Sequence, residues 1–283
     1  MKKITLMIFA VFTLFPSGAF SAQTIRLAVL PMVSEAEVFQ QFSPFNHYIS
    51  DITRQPVELV YWQNYKKLLD ELINDHIDLA FLGPLPYVIL TNQDNSFIPI
   101  ARFVDANGNA NYTCSLIAFD CDVAALNVKQ ARIALTQPYS TCGYLYTKQL
   151  LKKYPLNLEE LSYYYAGQHS TCALDVIRGT AQIAGVKTSI ARQYSNLGLR
   201  IIAESEPIPG FLLVANSRTL EAGTIDKIRS ALLQLDPRHN QTDAKTTATW
   251  GKMIRYGAIP VIAEGYQQIR QLFEQTQIPG VDN

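Results

Sequence analysis

The chain has 283 residues, room for one large domain or two modest ones, either able to bury a core. Its 24 basic and 24 acidic residues balance, which excludes the strongly basic surface of a nucleic-acid binder and argues against a polymeric acidic partner. A small anionic ligand stays possible, because local dipoles rather than net charge can hold it.

Met1-Lys2-Lys3 is a short positive start, followed by an uncharged apolar run from Ile4 to Phe15. Pro16 and Gly18 break the run, and Ala19-Phe20-Ser21 offers small residues where a signal peptidase reads. This is the anatomy of a secretory signal over residues 1–21, cleaved near Ser21 or Ala22. The run is too short to span a bilayer, which takes about 20 apolar residues. No cysteine stands at the cleavage region, which argues against a lipid anchor, and no later segment is long and apolar enough to span. The processed protein is expected to be soluble. Without Lys2 and Lys3 the basic count falls from 24 to 22 against 24 acids, a formal charge of −2. Cys114, Cys121, Cys142 and Cys172 then face an oxidising compartment, allowing up to two disulfides in three connectivities. None of their spacings is that of a zinc ribbon or a thioredoxin-like site, and neither a metal nor a cofactor is expected.

Thr24–Leu30 predicts a strand. Glu35–Ile52, with Val38, Phe42, Phe45, Tyr48 and Ile49 at helical spacing, predicts a helix. Pro56–Trp62 is a second strand, Tyr65–Ile73 a second helix and Ile77–Leu82 a third strand. This βαβαβ order belongs to a parallel sheet with helices on its faces. Phe97–Val104 and Tyr112–Phe119 are strands around an Asn-Gly turn at residues 107–108. The alternation then resumes, with strands over 131–135, 161–165 and 182–186 and helices over 143–153 and 171–178. Strands over 199–203 and 211–214 precede an amphipathic helix over 224–235, and the tail from Ile254 to Gln275 ends in a helix. Two α/β units without a floppy linker predict a cleft, with ligand chemistry in the loops after strands.

Three such loops stand out. Pro138–Tyr144 joins a strand to a helix and puts Ser140, Thr141 and Cys142 at the helix start, where free backbone N–H groups and the helix dipole suit an oxyanion. Ser and Thr are also ordinary helix caps, so this loop alone decides nothing. Gly167–Thr171 occupies the same kind of junction and places His169 at a helix start, whereas His47, His76 and His239 read as structural. After the third strand comes Gly83-Pro84-Leu85-Pro86-Tyr87, a tight turn into a helix, from which Tyr87 either packs or points its hydroxyl at the cleft.

Together the GPLPY junction, Tyr112 in NYTCSLIAF, the STCGYL loop and the YAGQHSTCALDVIRG stretch resemble the phosphonate, phosphate and phosphite type of substrate-binding protein of ABC importers. That family shows a GP-x-x-Y turn, a Y-x-S strand start, an S-x-SGY loop and a GSH helix start. The opening IRLAVLP and the closing YGAIPVIAEGYQQIRQLFE are similar too, so the resemblance covers nearly the whole processed chain. It implies a two-lobe periplasmic binding protein, each lobe a mainly parallel sheet flanked by helices, closing on its ligand. Lobe one would hold residues 24–113 and 212–283, and lobe two residues 114–211. The resemblance implies that Ser140, Thr141, the Cys142 position and His169 hold the anion's oxygens, with Tyr65, Gly83 and Tyr112 contacting it from the other side. The partners implied are a small oxyanion and an ABC permease, for a monomer in the periplasm.

Three departures from the family pattern matter. Where aminophosphonate binders carry carboxylates for the ligand's amine, this chain has Ser189 and Phe211, so a ligand without an amine fits better. Gln182 replaces a common acid. Cys114 and Cys142 stand where the family has Ser, and Cys172 follows the His169 loop. Cys114 and Cys121 are about 23 Å apart along an extended strand, too far to bridge unless the chain turns. Pairing among Cys114, Cys142 and Cys172 is therefore favoured over pairing with Cys121. A second reading makes these three cysteines a thiol site for an arsenic or sulfur oxyanion, in a periplasmic sensor signalling to a membrane kinase. An enzyme would need Cys142 or Ser140 as nucleophile beside His169. No acid lies near His169 in sequence, no GxSxG or HExxH motif occurs, and an exposed reactive thiol would have to escape oxidation.

Overall fold

A computed structural model describes residues 23–120, 131–154 and 156–278; the proposed signal and Cys121 lie outside the described residues. The chain begins with β1 (Ile25–Val29), α1 (Glu35–Thr53), β2 (Val57–Val60), α2 (Tyr65–Ile73), β3 (Leu79–Leu82), α3 (Pro84–Gln93) and β4 (Phe97–Phe103). Two short strands follow, β5 (Asn111–Tyr112) and β6 (Cys114–Phe119). Next come β7 (Arg132–Leu135), a π-helical turn over Thr141–Tyr146 running into α4 (Thr147–Leu151), β8 (Ser162–Tyr165), α5 (His169–Ile177), β9 (Ile183–Lys187), α6 (Thr188–Gln193) and β10 (Leu199–Glu204). The chain closes with β11 (Ile208–Pro209), β12 (Leu212–Asn216), α7 (Ala222–Gln234), α8 (Gln241–Thr247), β13 (Ala258–Ile259) and α9 (Gln267–Glu274).

These strands form two sheets, ordered β13-β4-β12-β3-β1-β2 and β10-β6-β9-β7-β8, joined by the two-stranded ribbon β11-β5. The two-lobe α/β architecture is present, but the sheets are mixed where the βα alternation implies mainly parallel ones. β1 runs parallel to β2 and β3, as βαβ units require. β12, however, pairs antiparallel with both β3 and β4. The reason is the route of the chain. β4 leaves the first sheet towards the ribbon and β12 returns from it, so the two legs point in opposite directions. In the second sheet β6 enters and β10 leaves beside it, again antiparallel. The single strand expected over 112–119 is accordingly broken at Thr113, where the chain changes partner from β11 to β9 and β10.

The first lobe's sheet packs β1 and β3 under α1, with Leu27, Phe42, Phe45, Phe81 and Trp250 buried in one cluster. α1 starts at Ser34, whose hydroxyl and backbone N–H exchange hydrogen bonds with Glu37 in a capping box. α8 was not evident in the sequence because QTDAKTT has no apolar period; it is held by Asn240, which caps the N–H groups of Thr242 and Asp243. Among the described residues, no helix is long and apolar enough to cross a membrane.

One buried charge staples the first sheet. Asp78, 1% exposed, accepts from the Arg26 backbone N–H at 2.7 Å and from its guanidinium at 2.9 Å through both carboxylate oxygens. Burial alone would raise the Asp78 pKa. The hydrogen bonds from Arg26 and Thr219 outweigh it and hold the carboxyl below its ordinary range. Asp78→Ala leaves the Arg26 guanidinium and a backbone donor without their acceptor, and is expected to cost about 3 kcal/mol, read as a lowered midpoint in urea denaturation.

Candidate functional site

Between the lobes lies a cavity of about 440 Å³. The second lobe contributes three strand-to-helix junctions: the turn after β7, the start of α5 and the junction of β9 with α6. The first lobe contributes the loop after β1, the Gly83 turn and the start of α2, and Tyr112 comes from the ribbon.

The turn after β7 is built by local hydrogen bonding. Ser140 donates its backbone N–H to the Gln137 carbonyl at 3.0 Å, and its hydroxyl accepts from the Gly143 N–H at 3.0 Å. Gly143 is required here, since a Cβ would stand 1.8 Å from the Thr136 hydroxyl oxygen. The N–H groups of Thr141 and Cys142 precede the first acceptor that the helix can supply, and both residues line the cavity. The Thr141 hydroxyl accepts from the Leu85 N–H of the opposite lobe at 3.1 Å. It also lies in hydrogen-bond contact with the hydroxyl of Tyr112. A second bridge between the lobes runs from the Tyr65 N–H to the Gln137 side-chain oxygen at 2.9 Å.

α5 begins at His169 after Gln168, which supplies no side-chain cap. The first N–H groups of α5 are thus left for another acceptor, and His169 and Ser170 both face the cavity. The Lys187 backbone N–H donates to His169 Nδ1 at 3.3 Å. This fixes the tautomer, because an accepting Nδ1 leaves the ring proton on Nε2. The ring keeps some surface towards the cavity, but the protein packed around it disfavours the charged form, and the nearby Lys187 charge acts the same way. Its pKa is lowered to about 3. His169 is therefore a neutral donor.

Lys187 ends β9, and its ammonium sits 5.0 Å from the ring centroid of Tyr112 and 5.2 Å from that of Phe211. Sequence reasoning missed it. The strand expected over 182–186 stops one residue short, and α6, only six residues long, was not foreseen. The available signal was positional: Lys187 stands at the third strand-to-helix junction of a lobe whose first two junctions carry Ser140 and His169.

The cavity gathers Tyr65, Gly83, Tyr112, Ser140, Thr141, Cys142 and His169, and also Ser189 and Phe211, the two positions where family carboxylates were missing. It does not gather Tyr87. α3 starts at Pro84, so its first turn presents Pro86 to the cavity and directs Tyr87 into the protein, against Tyr266 at 4.9 Å. Of the two readings of the cysteines, the disulfide among Cys114, Cys142 and Cys172 is present and the thiol site is not. Cys114 and Cys142 form a disulfide with Cα atoms 5.1 Å apart, so neither sulfur is a free thiol or nucleophile. Cys172 is unpaired and fully buried on the core face of α5. Burial, with the Asp175 charge, pushes its pKa up to about 12. With two sulfurs bonded to each other and the third held protonated in the core, these residues make no thiol site.

An α/β chain folded as two lobes about a cleft that presents donors and a cation has the architecture of the periplasmic binding proteins. Residues 27–266 match the family described as ABC transporter, phosphonate, periplasmic substrate-binding protein, and the chain belongs to that family. Membership makes it the ligand-capturing component of an ABC importer, working in the periplasm beside a permease. Over 231 residues it is 24% identical to the phosphate-import protein PhnD of Mycolicibacterium smegmatis, covering 75% of this chain and 72% of that protein. Its fold is similar to that of PhnD1 from Prochlorococcus marinus in complex with methylphosphonate, with a TM-score of 0.75, 14% identity, and coverage of 89% and 97% of the two chains. It is also similar to a binding protein component of an ABC phosphonate transporter from Pseudomonas aeruginosa, with a TM-score of 0.73, 21% identity, and coverage of 90% and 87%.

Two outcomes test the site. Replacing both bridged cysteines, Cys114→Ser with Cys142→Ser, opens a loop closed over a separation of 28 residues; the chain-entropy argument gives a loss of ~3.5 kcal/mol, measurable by urea denaturation. His169 titrates from 6.5 when unfolded to about 3 when folded, so over that interval the unfolded chain binds the extra proton. The stability it contributes is present above pH 6.5 and lost as pH falls towards 3. A pH series of melting temperatures for the ligand-free protein should therefore fall more steeply in acid than that of His169→Gln.

Proposed function

We propose that this protein captures a small phosphorus oxyanion without an amine, a phosphonate, phosphite or phosphate-like ion, and hands it to an ABC permease. The observation that carries this reading is the sign of the cavity. Two helix starts of the second lobe, at Ser140–Cys142 and His169–Ser170, converge there with the ammonium of Lys187. Glu37 is the acidic residue among the lining, and its carboxylate is held by the Ser34 hydroxyl and backbone N–H. The cavity thus offers many donors and little that would repel an anion. The relatives' ligands, phosphate for one and methylphosphonate for another, fit this chemistry.

In this reading, the Thr141 and Ser140 hydroxyls, the Nε2–H of neutral His169 and the free N–H groups of both helix starts hold the oxygens, while Tyr65, Gly83 and Tyr112 close from the other side. The lobes, residues 24–113 with 212–283 and residues 114–211, would close about the β5–β11 ribbon. The protein would act as a monomer after losing residues 1–21 near Ser21 or Ala22. The cysteines give no support to a thiol-based sensor coupled to a kinase, and a disulfide-bonded Cys142 gives none to a hydrolase.

Isothermal titration at neutral pH with methylphosphonate, phosphite, phosphate and sulfate tests the reading. A phosphorus oxyanion is expected to bind most tightly, and His169→Ala to weaken it by roughly tenfold to a hundredfold, the value of one hydrogen bond to a charged group. No binding of any phosphorus oxyanion would sink the reading.

A further inference from the structure

Lys187 has a charge that the anion-holding turns do not explain. Its backbone N–H is used by His169, and its side chain lies over Tyr112 and Phe211, with its charge near enough to act on the His169 ring. Those two rings stack at 5.7 Å, and Phe211 stacks in turn on buried Phe81 at 5.5 Å. The ammonium rests on an aromatic floor anchored in the ribbon and in the first sheet. Cation–π contact of this kind is attractive but leaves the positive charge unneutralised.

No carboxylate stands within ion-pair distance of Lys187 among the described residues. Asp105, on an exposed turn, acts on it only at a distance. Glu37, on the cavity wall, is taken by Ser34. An enclosed ammonium without a counter-ion is costly, and its pKa is lowered by burial. The cavity of about 440 Å³ also exceeds what an oxyanion head alone fills, since a water's share of volume is only about 30 Å³. A ligand seated on the helix starts has space for a substituent, along walls formed by Met32, Ile190, Tyr194 and Met253.

We infer that Lys187 decides which substituent the bound phosphonate can carry: an acidic group is favoured, an uncharged organic group is accepted and an ammonium is disfavoured. This rests on the phosphorus-oxyanion reading and adds a ligand class to it, phosphonates bearing a second acid. That second acid, a carboxylate for instance, would neutralise the ammonium over Tyr112 and Phe211, while an amine there would add a like charge in an enclosed space, where charges interact strongly.

Three probes share a phosphonate head and a two-carbon chain and differ in terminal charge: phosphonoacetate, ethylphosphonate and 2-aminoethylphosphonate. Isothermal titration of the wild-type protein at pH 7 should rank them in that order, with steps of about tenfold. In Lys187→Met all three probes should bind less tightly, because the cavity loses a positive charge, but phosphonoacetate should lose about tenfold more than ethylphosphonate, so that the ranking collapses to within a few-fold; Lys187→Gln serves as a second variant of similar reach. The wild-type ranking is decisive by itself, so the inference does not depend on a variant that folds. Equal binding of the aminated and ethyl probes would overturn it. So would a Lys187→Met variant that weakens ethylphosphonate as much as phosphonoacetate, which would make Lys187 a ligand of the oxyanion head. Failure of all three to bind would instead remove the phosphonate reading itself, and this inference with it.

Discussion

The chain passes between its lobes along β5 and β11, which pair antiparallel through Tyr112 with Ile208 and Asn111 with Pro209. Because both passages run side by side, every leg that leaves a sheet there lies next to one that returns. This makes β4 and β12 antiparallel in the first sheet and β6 and β10 antiparallel in the second. The same ribbon sets Tyr112 at the cavity wall, and Cys114 two residues on. The disulfide from Cys114 then fastens the turn carrying Ser140 and Thr141 to the start of β6, immediately beyond the ribbon. One residue, Thr113, separates the element on which the lobes are joined from the bridge that holds the oxyanion turn.

The cleft's preference for an anion is created locally in a chain whose formal charges cancel. Helix starts supply donors whose partners the helix itself cannot provide, and α5 leaves its own uncapped. His169 contributes without adding charge, because a backbone N–H occupies Nδ1 and the surroundings suppress protonation. Glu37 keeps its charge, since both Ser34 donors hold its carboxylate and lower its pKa, but it is exposed and its repulsion is screened by solvent. Lys187 provides the full positive charge, so helix-start dipoles and a cation line one cavity.

Much of this was legible in the sequence, for identifiable reasons. Helical and strand periods predict β1 to β3 with their helices, because one face of each is buried. Ser140, Thr141, Cys142 and His169 follow from residue types that satisfy helix starts after strands, while Tyr65, Gly83 and Tyr112 came only through family resemblance. What was not legible depends on tertiary placement. The partner of Cys114 is fixed by β6 lying beside the turn after β7, which no spacing reveals. Whether Tyr87 packs or faces the cleft turned on the phase of α3, which its start at Pro84 fixes. Lys187 escaped notice because a lysine at the end of a strand resembles any solvated charge until Tyr112 and Phe211 are found beneath it.

Closure and ligand capture share groups. The Thr141 hydroxyl accepts from the Leu85 N–H of the opposite lobe, and its own proton has the Tyr112 oxygen as a second acceptor on the cavity wall, from which an anion would have to draw it. Gln137 acts similarly at the start of the same turn, accepting from the Tyr65 N–H across the cleft; Tyr65 itself lines the cavity. Contacts that draw the lobes together therefore end on the segment that presents the donors for the anion. An open cleft would leave the Leu85 and Tyr65 N–H groups to water and the Thr141 hydroxyl free to rotate. A closed one fixes the hydroxyl's acceptor side and narrows the directions in which its proton can point. In the proposed capture, binding and closing would be coupled through ordinary hydrogen-bond geometry at Thr141, with the disulfide at its neighbour Cys142 tying that turn to the start of β6.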